Sequence, residues 1–204
     1  MKFIPHCILV TYLVVSVSGC SQKTNYYPVS DKHPRKSSLG FSVSPPTGKS
    51  WFEKLQGPSL IYYKKTERDD YLLYAKASEV KLPNAPKNTE EFIAWVKSEK
   101  EVFLPPERYK NITFSFQAEP DISEYCLRYS RTYEDHGQVV ENAKDDQFFA
   151  IENSGLYCLH PDSEKIGVDV SFVERLPQGF SHKQFRDEVN SFMQSLTFQS
   201  LNQS

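Results

Sequence analysis

The segment Glu124–Tyr133, EYCLRYSRTY, alternates Tyr and Leu with Arg, Ser and Thr, which is the pattern of a β-strand with one buried face. A second strand-like run, QFFAIENSGLYCLH, spans Gln147–His160, and a bulge or turn is predicted at Asn153-Ser154-Gly155. The polar residues between the two runs are typical of a hairpin loop. Each run contains one cysteine, and an antiparallel register in which Cys126 faces Cys158 centres that loop on Asn142. The two runs therefore predict an antiparallel hairpin within the fold.

Five further runs have the alternation of strands: Leu39–Ser44, Ser59–Lys64, Tyr71–Ala77, Ile112–Ala118 and Ile166–Arg175. In the last two, alternate residues are apolar and are predicted to face a core, namely Ile112, Phe114, Phe116, Ala118, Ile166, Val168, Val170 and Phe172. One apolar face on each strand indicates an antiparallel sheet that is covered on one side.

Two segments carry helix signals. Asn88 is a predicted N-cap with Glu91 at the third position, followed by the apolar stripe Phe92, Ile93 and Val96. Ser181 is followed in the same way by Gln184, after which apolar residues recur at helical spacing: Phe185, Val189, Phe192, Met193 and Leu196. Both stripes are typical of helices that pack on a core. The whole pattern predicts an α+β fold, a central antiparallel β-sheet with two packed helices, in a single domain over residues 39–204.

The two ends of this domain resemble PsbP-like domains. The opening strand, GFSVSPP over residues 40–46, is shortly followed by Trp51, and the final amphipathic helix runs into Ser195-Leu196-Thr197-Phe198. The resemblance implies a central antiparallel sheet with helices packed on its faces, as in an extrinsic photosystem subunit and its bacterial relatives. It implies binding to other proteins rather than a particular chemistry, and the sequence matches none of the family's metal-binding positions.

The composition excludes several classes of protein. A chain of 204 residues with 14 Phe and 12 Tyr can build a substantial core. Its formal net charge of −2 and isoelectric point near 6.2 give no support to a nucleic-acid partner. The mean hydropathy of −0.55 excludes a polytopic membrane protein. Phosphate-binding loops and metal-binding histidine pairs are also missing from the sequence, so no cofactor and no metal ion is predicted.

The N-terminus has the pattern of an export signal. Lys2 supplies a positive charge, and Ile8–Val17 is an uncharged apolar run that is too short to cross a bilayer as a helix. The run closes with Val17-Ser18-Gly19-Cys20, in which small residues precede a cysteine. This stretch resembles the lipobox of bacterial lipoproteins at all four positions, and a plain secretory signal is the alternative. The resemblance implies that residues 1–19 are removed as a signal peptide and that Cys20 carries the lipid.

The lipobox resemblance also implies a location in the bacterial cell envelope. Ser21 follows the cysteine where an Asp would, by analogy with enteric bacteria, favour the inner membrane, so the sequence favours an outer-membrane anchor and a domain that faces the periplasm. Several acyl chains anchor stably, since each buried methylene contributes about 0.8 kcal/mol. Residues 20–38 are polar, contain two prolines and show no periodicity, and they are predicted to form a flexible, lipidated tether.

The four cysteines fit an exported protein. If Cys7 leaves with the signal peptide and Cys20 is lipidated, Cys126 and Cys158 remain as an even pair in an oxidising compartment. Two cysteines are too few for a metal site, and no C-x-x-C spacing is present. A disulfide between Cys126 and Cys158 is therefore predicted, in agreement with the hairpin register.

The sequence contains none of the common catalytic motifs, and His160 is the single catalytic candidate. It closes a strand shortly before the strand from Ile166 begins, so it could approach a carboxylate such as Asp169 or Glu174. In that arrangement it would act as a general base in a small hydrolase. The alternative, which the pattern favours, is a strand-end histidine that hydrogen-bonds a turn.

These observations favour a lipid-anchored envelope protein that works by binding, as an accessory or assembly factor for another envelope component, rather than an enzyme. An envelope hydrolase that uses His160 is the alternative, and a lipoprotein that blocks a toxin or a phage protein is a third hypothesis. Tyrosines are abundant on the strands, for example at Tyr62-Tyr63 and Tyr125. They could form a contact surface or fill the junction between sheet and helix.

Overall fold

The computed structural model describes residues 26–56, 59–137, 147–180 and 183–201, which form eleven strands and two helices. The strands are β1 (Tyr27–Pro28), β2 (Arg35–Lys36), β3 (Phe41–Val43), β4 (Trp51–Gln56), β5 (Ser59–Lys64), β6 (Leu72–Lys81), β7 (Tyr109–Ala118), β8 (Cys126–Asp135), β9 (Phe149–Leu159), β10 (Ile166–Pro177) and β11 (Thr197–Phe198). Helix α1 (Thr89–Lys100) connects β6 to β7, and helix α2 (Lys183–Gln194) connects β10 to β11.

Eight strands form one antiparallel sheet in the order β1-β4-β5-β6-β10-β9-β8-β7. The long strand β10 pairs along most of its length with β6 on one side and β9 on the other. A small second sheet has the order β11-β3-β2. The predicted α+β architecture, a central antiparallel sheet with two helices, is confirmed at this level.

Both faces of the large sheet are covered. Successive residues of β9 alternate between two hydrophobic clusters, so the clusters lie on opposite faces. The larger cluster lies under α2 and the small sheet, which contribute Val189, Phe192, Met193, Phe41 and Val43. The smaller cluster lies under α1, which contributes Phe92 and Val96. The prediction of cover on one side was wrong because β8 and β9 bury apolar residues on both of their faces.

The inward face of β10 was predicted correctly, since Val168, Val170 and Phe172 are buried in the larger cluster. The inward face of β7 was not. Ile112 and Phe114 are 37% and 36% exposed, because β7 is an edge strand that the helices leave partly uncovered.

Strand β9 is continuous through Asn153-Ser154-Gly155, and its pairing with β8 and β10 shows no bulge there, so the predicted interruption was wrong. Gly155 is needed because β10 approaches closely. A Cβ atom at this position would lie 2.6 Å from the carbonyl oxygen of Val170.

Helix α1 begins as its sequence predicts. The Oδ1 atom of Asn88 accepts a hydrogen bond from the Glu91 amide at 2.9 Å, which satisfies one free N–H group of the first turn. The predicted cap of α2, Ser181, lies outside the described residues. Neither helix of the described chain is long and apolar enough to cross a bilayer.

The predicted disulfide between Cys126 and Cys158 is confirmed. The two residues face each other directly across β8 and β9, in the register inferred from the sequence. Both are buried in the larger cluster, at 3% and 0% exposure.

The prediction of a flexible tether through residue 38 was wrong for residues 26–38. Strand β1 pairs with β4, and β2 pairs with β3. The guanidinium of Arg35 donates two hydrogen bonds of 2.9 Å to the carboxylate of Glu53, which fastens this segment to the sheet. Polar composition predicted a solvated arm, but paired ladders and a bidentate ion pair hold the segment in place.

One buried ion pair joins α2 to the large sheet. The Oε2 atom of Glu188 on α2 accepts hydrogen bonds from the ammonium of Lys64 on β5 and, at 2.8 Å, from the indole N–H of Trp51 on β4. The Lys64 side chain is 7% exposed and that of Glu188 is 18% exposed. The ammonium also lies 4.5 Å from the ring centroid of Phe185. A charge with so little access to water depends on Glu188 for its compensation.

Candidate functional site

His160, the catalytic candidate, is held by backbone groups. Its ring is buried, with 3% of the residue exposed. The Nε2 atom lies 3.1 Å from the carbonyl oxygen of Gly40 and 2.9 Å from that of Gln199. The Nδ1 atom accepts a hydrogen bond of 3.0 Å from the amide of Asp162. The tautomer with its proton on Nε2 satisfies all three contacts.

This geometry gives His160 a structural role. Gly40 has a positive φ of 78°, and a Cβ there would lie 2.8 Å from Nε2, so the ring and this glycine fit closely. The side-chain oxygens of Asp169 and Glu174 contact other partners, Tyr129 and Lys100 for Asp169 and Tyr71 for Glu174. Among the described residues, therefore, the hydrogen bonds of His160 connect β9 to β3 and to the end of β11, and they provide no carboxylate to orient a general base.

An open cleft of about 560 Å³ lies beside His160. Its walls include Tyr125 and the acidic residues Glu124, Asp162 and Glu164. Within the described part of the chain, no group of three or more His, Cys, Asp or Glu side chains is placed to hold a metal ion. The cleft is therefore lined by acidic side chains, but those described do not form a metal-binding site.

A second polar cluster lies under α1 on the opposite face of the sheet. The ammonium of Lys100 donates to the Asp169 carboxylate at 2.8 Å and to the Tyr129 hydroxyl at 3.0 Å, and that hydroxyl donates to Asp169 at 2.8 Å. Burial raises the pKa of Tyr129 well above its usual value, and the Asp169 charge raises it further. Each group is hydrogen-bonded to the other two, so the cluster fastens the end of α1 to the sheet.

An apolar surface on the α1 side lies along β7. We define the open-edge surface as Ile112, Phe114 and Phe116. Ile112 and Phe114 are 37% and 36% exposed, and Phe116 is half-buried. The rings of Phe114 and Phe116 are parallel, with centroids 6.4 Å apart. Phe116 lies opposite Tyr129 in the strand register and packs against the edge of the smaller cluster, so this surface continues the core outward to solvent.

The β7 backbone offers hydrogen-bonding groups at the same place. The amide of Glu119 donates to the carbonyl of the opposite residue, Cys126, at 2.9 Å. In an antiparallel ladder this direction alternates, so the amides of Phe114, Phe116 and Ala118 point away from β8. Lysine, proline and bulges usually protect an edge strand. Strand β7 has Lys110 and a register shift between Lys110 and Thr113 near its start, whereas residues 113–118, TFSFQA, contain no Lys, no Pro and no bulge.

Positive charge borders the phenyl rings. The Arg131 guanidinium lies 5.9 Å from the ring centroid of Phe114 and 5.2 Å from that of Tyr133. The Lys97 ammonium lies 5.5 Å from the ring centroid of Phe116. A segment that binds here would meet apolar rings, free amides and two cations together.

The alternation in β7 predicts that its apolar residues face the core. One feature of the sequence, the short apolar stripe of α1, indicates instead that β7 is partly exposed. The α1 segment has only the short stripe Phe92, Ile93 and Val96, and a helix of 12 residues is about 18 Å long. Such a helix packs on β8 and β9 and leaves part of β7 exposed.

No model of a known protein family matches this chain, and no curated protein is significantly similar to it. The described residues therefore define only a class of protein: an α+β domain built on a large antiparallel sheet in which β7 is an edge strand.

Proposed function

We propose that this protein is a lipid-anchored component of the bacterial cell envelope that binds an extended segment of another envelope protein along β7. The single observation that carries this proposal is the open-edge surface, where the partly exposed side chains of Ile112, Phe114 and Phe116 and the outward amides of residues 114, 116 and 118 occur on the same edge strand. An edge strand of this kind gives affinity through main-chain hydrogen bonds and specificity through alternate side chains.

The anchor in this proposal rests on Val17-Ser18-Gly19-Cys20, which lies outside the described residues. The disulfide supports it, since such bonds persist in exported proteins and are rare in the cytosol. Ser21 after the cysteine supports an outer-membrane location with the domain in the periplasm. Relationship to PsbP-like domains is part of the same proposal, and helices on both faces of an antiparallel sheet support it.

Changing Cys20 to alanine tests the anchor. We expect Cys20→Ala to abolish incorporation of labelled palmitate, because the only proposed acceptor thiol is removed. Cys7→Ala is the matched control and should keep full labelling, since Cys7 lies before the cleavage site. Undiminished labelling of Cys20→Ala would contradict the anchor.

The proposed partner has a definite chemistry. Its strand would place apolar side chains beside Phe114 and Phe116, on every second residue. Acidic side chains next to them would pair with Arg131 and Lys97, whose positive charges border the rings. The partner segment is therefore extended, apolar on one face, and acidic at its flanks.

A photo-crosslinking amino acid at position 114 tests this binding in the envelope of the cells that make the protein. We expect one protein adduct, with the crosslink in a segment of the described chemistry. Adding Ala118→Pro should lower the adduct yield about tenfold, because it removes an outward amide worth about 1.4 kcal/mol in the complex. Strand β7 keeps its own bonds to β8, since the Ala118 amide does not face that strand.

The control places the same crosslinker at Phe180, an aromatic residue that is 47% exposed in the turn before α2. This position should not trap the same protein. An adduct at 114 that Ala118→Pro leaves unchanged would refute binding by strand addition. An adduct with a second copy of this chain would replace the proposed partner by self-association.

No observation favours the hydrolase hypothesis. It required a carboxylate beside His160, and the described hydrogen bonds of that ring go to backbone groups of Gly40, Gln199 and Asp162. We therefore propose no catalytic residue.

A further inference from the structure

The structured part of the chain begins much closer to Cys20 than its composition indicates. A tether through residue 38 would let the domain move as far as about 65 Å from the lipid, at roughly 3.3–3.6 Å per residue. Tyr26 is the first described residue, and Tyr27 already pairs with Glu53 of β4. Only the five residues 21–25 separate Cys20 from Tyr26. Whatever conformation they adopt, the Cα atoms of Cys20 and Tyr26 are at most about 22 Å apart.

This short connection attaches to one particular edge of the large sheet. Strand β1 forms one edge and β7 forms the other, with six strands between them. At about 4.8 Å between neighbouring strands, the two edges are roughly 34 Å apart. The tether is therefore shorter than the sheet is wide, and with the proposed anchor it would keep the β1 edge within about 22 Å of the lipid.

The β1 edge has the side chains that favour a lipid headgroup layer. Tyr26 and Tyr27 are 42% and 62% exposed, and the Tyr26 ring lies 6.2 Å from that of Tyr63. Tyrosine prefers the membrane–water interface because its ring is apolar and its hydroxyl is polar. Lys32 and Lys36 in the same segment are exposed. Each such cation contributes about 1 kcal/mol near an anionic surface.

Resting on the lipid anchor of the proposed function, we infer that Tyr26 and Tyr27 lie in the headgroup region of the bilayer and that β7 points away from it. The membrane-facing edge and the open-edge surface are then opposite ends of one rigid sheet. The partner of the β1 edge is thus the lipid surface itself. The anchor keeps this edge close to the bilayer, and the two tyrosines make the contact with the headgroups. This orientation presents β7 to proteins beyond the lipid headgroups.

Fluorescence quenching tests this orientation. The full-length lipidated protein is reconstituted in vesicles of phosphatidylethanolamine and phosphatidylglycerol that contain headgroup spin-labelled lipid. A coumarin amino acid is placed at position 27 or, as the matched control, at position 114, which are exposed aromatic positions on opposite edges. Since the two edges are roughly 34 Å apart, we expect quenching at position 27 to exceed quenching at position 114 by about threefold or more.

Failure of this inference is distinguishable from failure of the proposed function. Protein that does not float with the vesicles would show that the anchor itself is absent. Protein that floats but is quenched equally at positions 27 and 114 would refute the orientation and leave the anchor intact.

A longer tether distinguishes membrane contact by the two tyrosines from the closeness that the short tether alone imposes. With a long Gly-Ser spacer inserted before Tyr26, the tyrosines should still hold the β1 edge at the lipid, read from a coumarin placed at Lys32. Replacing Tyr26 and Tyr27 by serine in that spacer protein should reduce quenching there to the level at position 114. Equal quenching of the spacer protein with tyrosine and with serine would refute the tyrosine contact.

Discussion

Replacing Glu188 with alanine is expected to lower the free energy of unfolding by about 3 kcal/mol, because it leaves a buried lysine without its counter-charge. The Lys64 side chain is 7% exposed, and the indole N–H of Trp51 loses an acceptor at the same time. Urea denaturation at constant m-value measures the change. This loss is large for a domain whose total stability is expected to be about 5–15 kcal/mol.

The expected effect comes from the unpaired charge and not from a lost favourable bond. Replacing the pair by Met at Lys64 and Leu at Glu188 should therefore restore most of the stability, since apolar side chains of similar volume can replace a buried ion pair. The surroundings suit this exchange, because the ammonium already lies beside the rings of Phe185 and Trp51. A double variant that is as unstable as Glu188→Ala would contradict this explanation.

Glu152→Ala is the matched control for Glu188→Ala. Glu152 also joins the sheet to α2 through an ion pair, with Arg186 at 2.8 Å. The charge that remains in this variant is the Arg186 guanidinium, whose side chain is 61% exposed, so water can solvate it and the expected loss is below about 1 kcal/mol. Similar losses for the two variants would show that burial does not decide the effect.

The sequence predicted the parts of this fold that depend on neighbouring residues. The alternation in β8 and β9, together with one cysteine in each, was enough to predict their register. Asn88 and Glu91 predicted the start of α1 because a cap is made within one turn. The apolar face of β10 was also predicted, since a strand this central is covered whichever helix packs on it.

The parts that sequence reasoning missed depend on residues far away in the chain. Arg35 is fastened by Glu53, 18 residues later, and β1 has only two exposed residues, so no local pattern marks this segment as folded. His160 contacts Gly40, 120 residues earlier. Periodicity showed that β7 has an apolar face, but it could not show that α1 leaves this face partly open.

The folded segment 26–38 determines how the proposed anchor would orient the domain. A domain on a long arm could take any orientation at the membrane, whereas with the proposed lipid anchor a segment folded from Tyr27 would keep the β1 edge near the lipid. Phe114 is exposed on the opposite edge of the sheet. In the proposed orientation that edge is the part of the sheet farthest from the bilayer, and the sheet connects the proposed anchor to the proposed binding strand.

Removing the disulfide by changing Cys126 and Cys158 to alanine is expected to cost about 3.7 kcal/mol, the chain entropy of closing a loop of this length. The two cysteines are 32 positions apart, so the unfolded chain without the bridge gains considerable freedom. Urea denaturation of the oxidised protein and the double variant measures the difference. Reduced wild-type protein lacks the cross-link but retains both sulfur atoms in the core. Its stability therefore distinguishes the loss of chain entropy from the loss of side-chain packing. A loss below about 1 kcal/mol in both would contradict the expectation.

Loss of the disulfide should also destabilise β7, the proposed binding strand. Cys126 begins β8, and its carbonyl accepts the Glu119 amide that ends the β7 ladder. Hydrogen exchange of the inward amides of β7, at residues 113, 115 and 117, should therefore become faster in the double alanine variant, because β8 is the strand that β7 pairs with in the described part of the sheet. The ring of Phe192 on α2 packs against Tyr62 of β5, which is separated from β8 by three strands of the sheet, and exchange there should change less. Uniform acceleration across β5, β7 and α2 would instead mean that the bridge stabilises only the whole fold, and that the open edge has no special dependence on it.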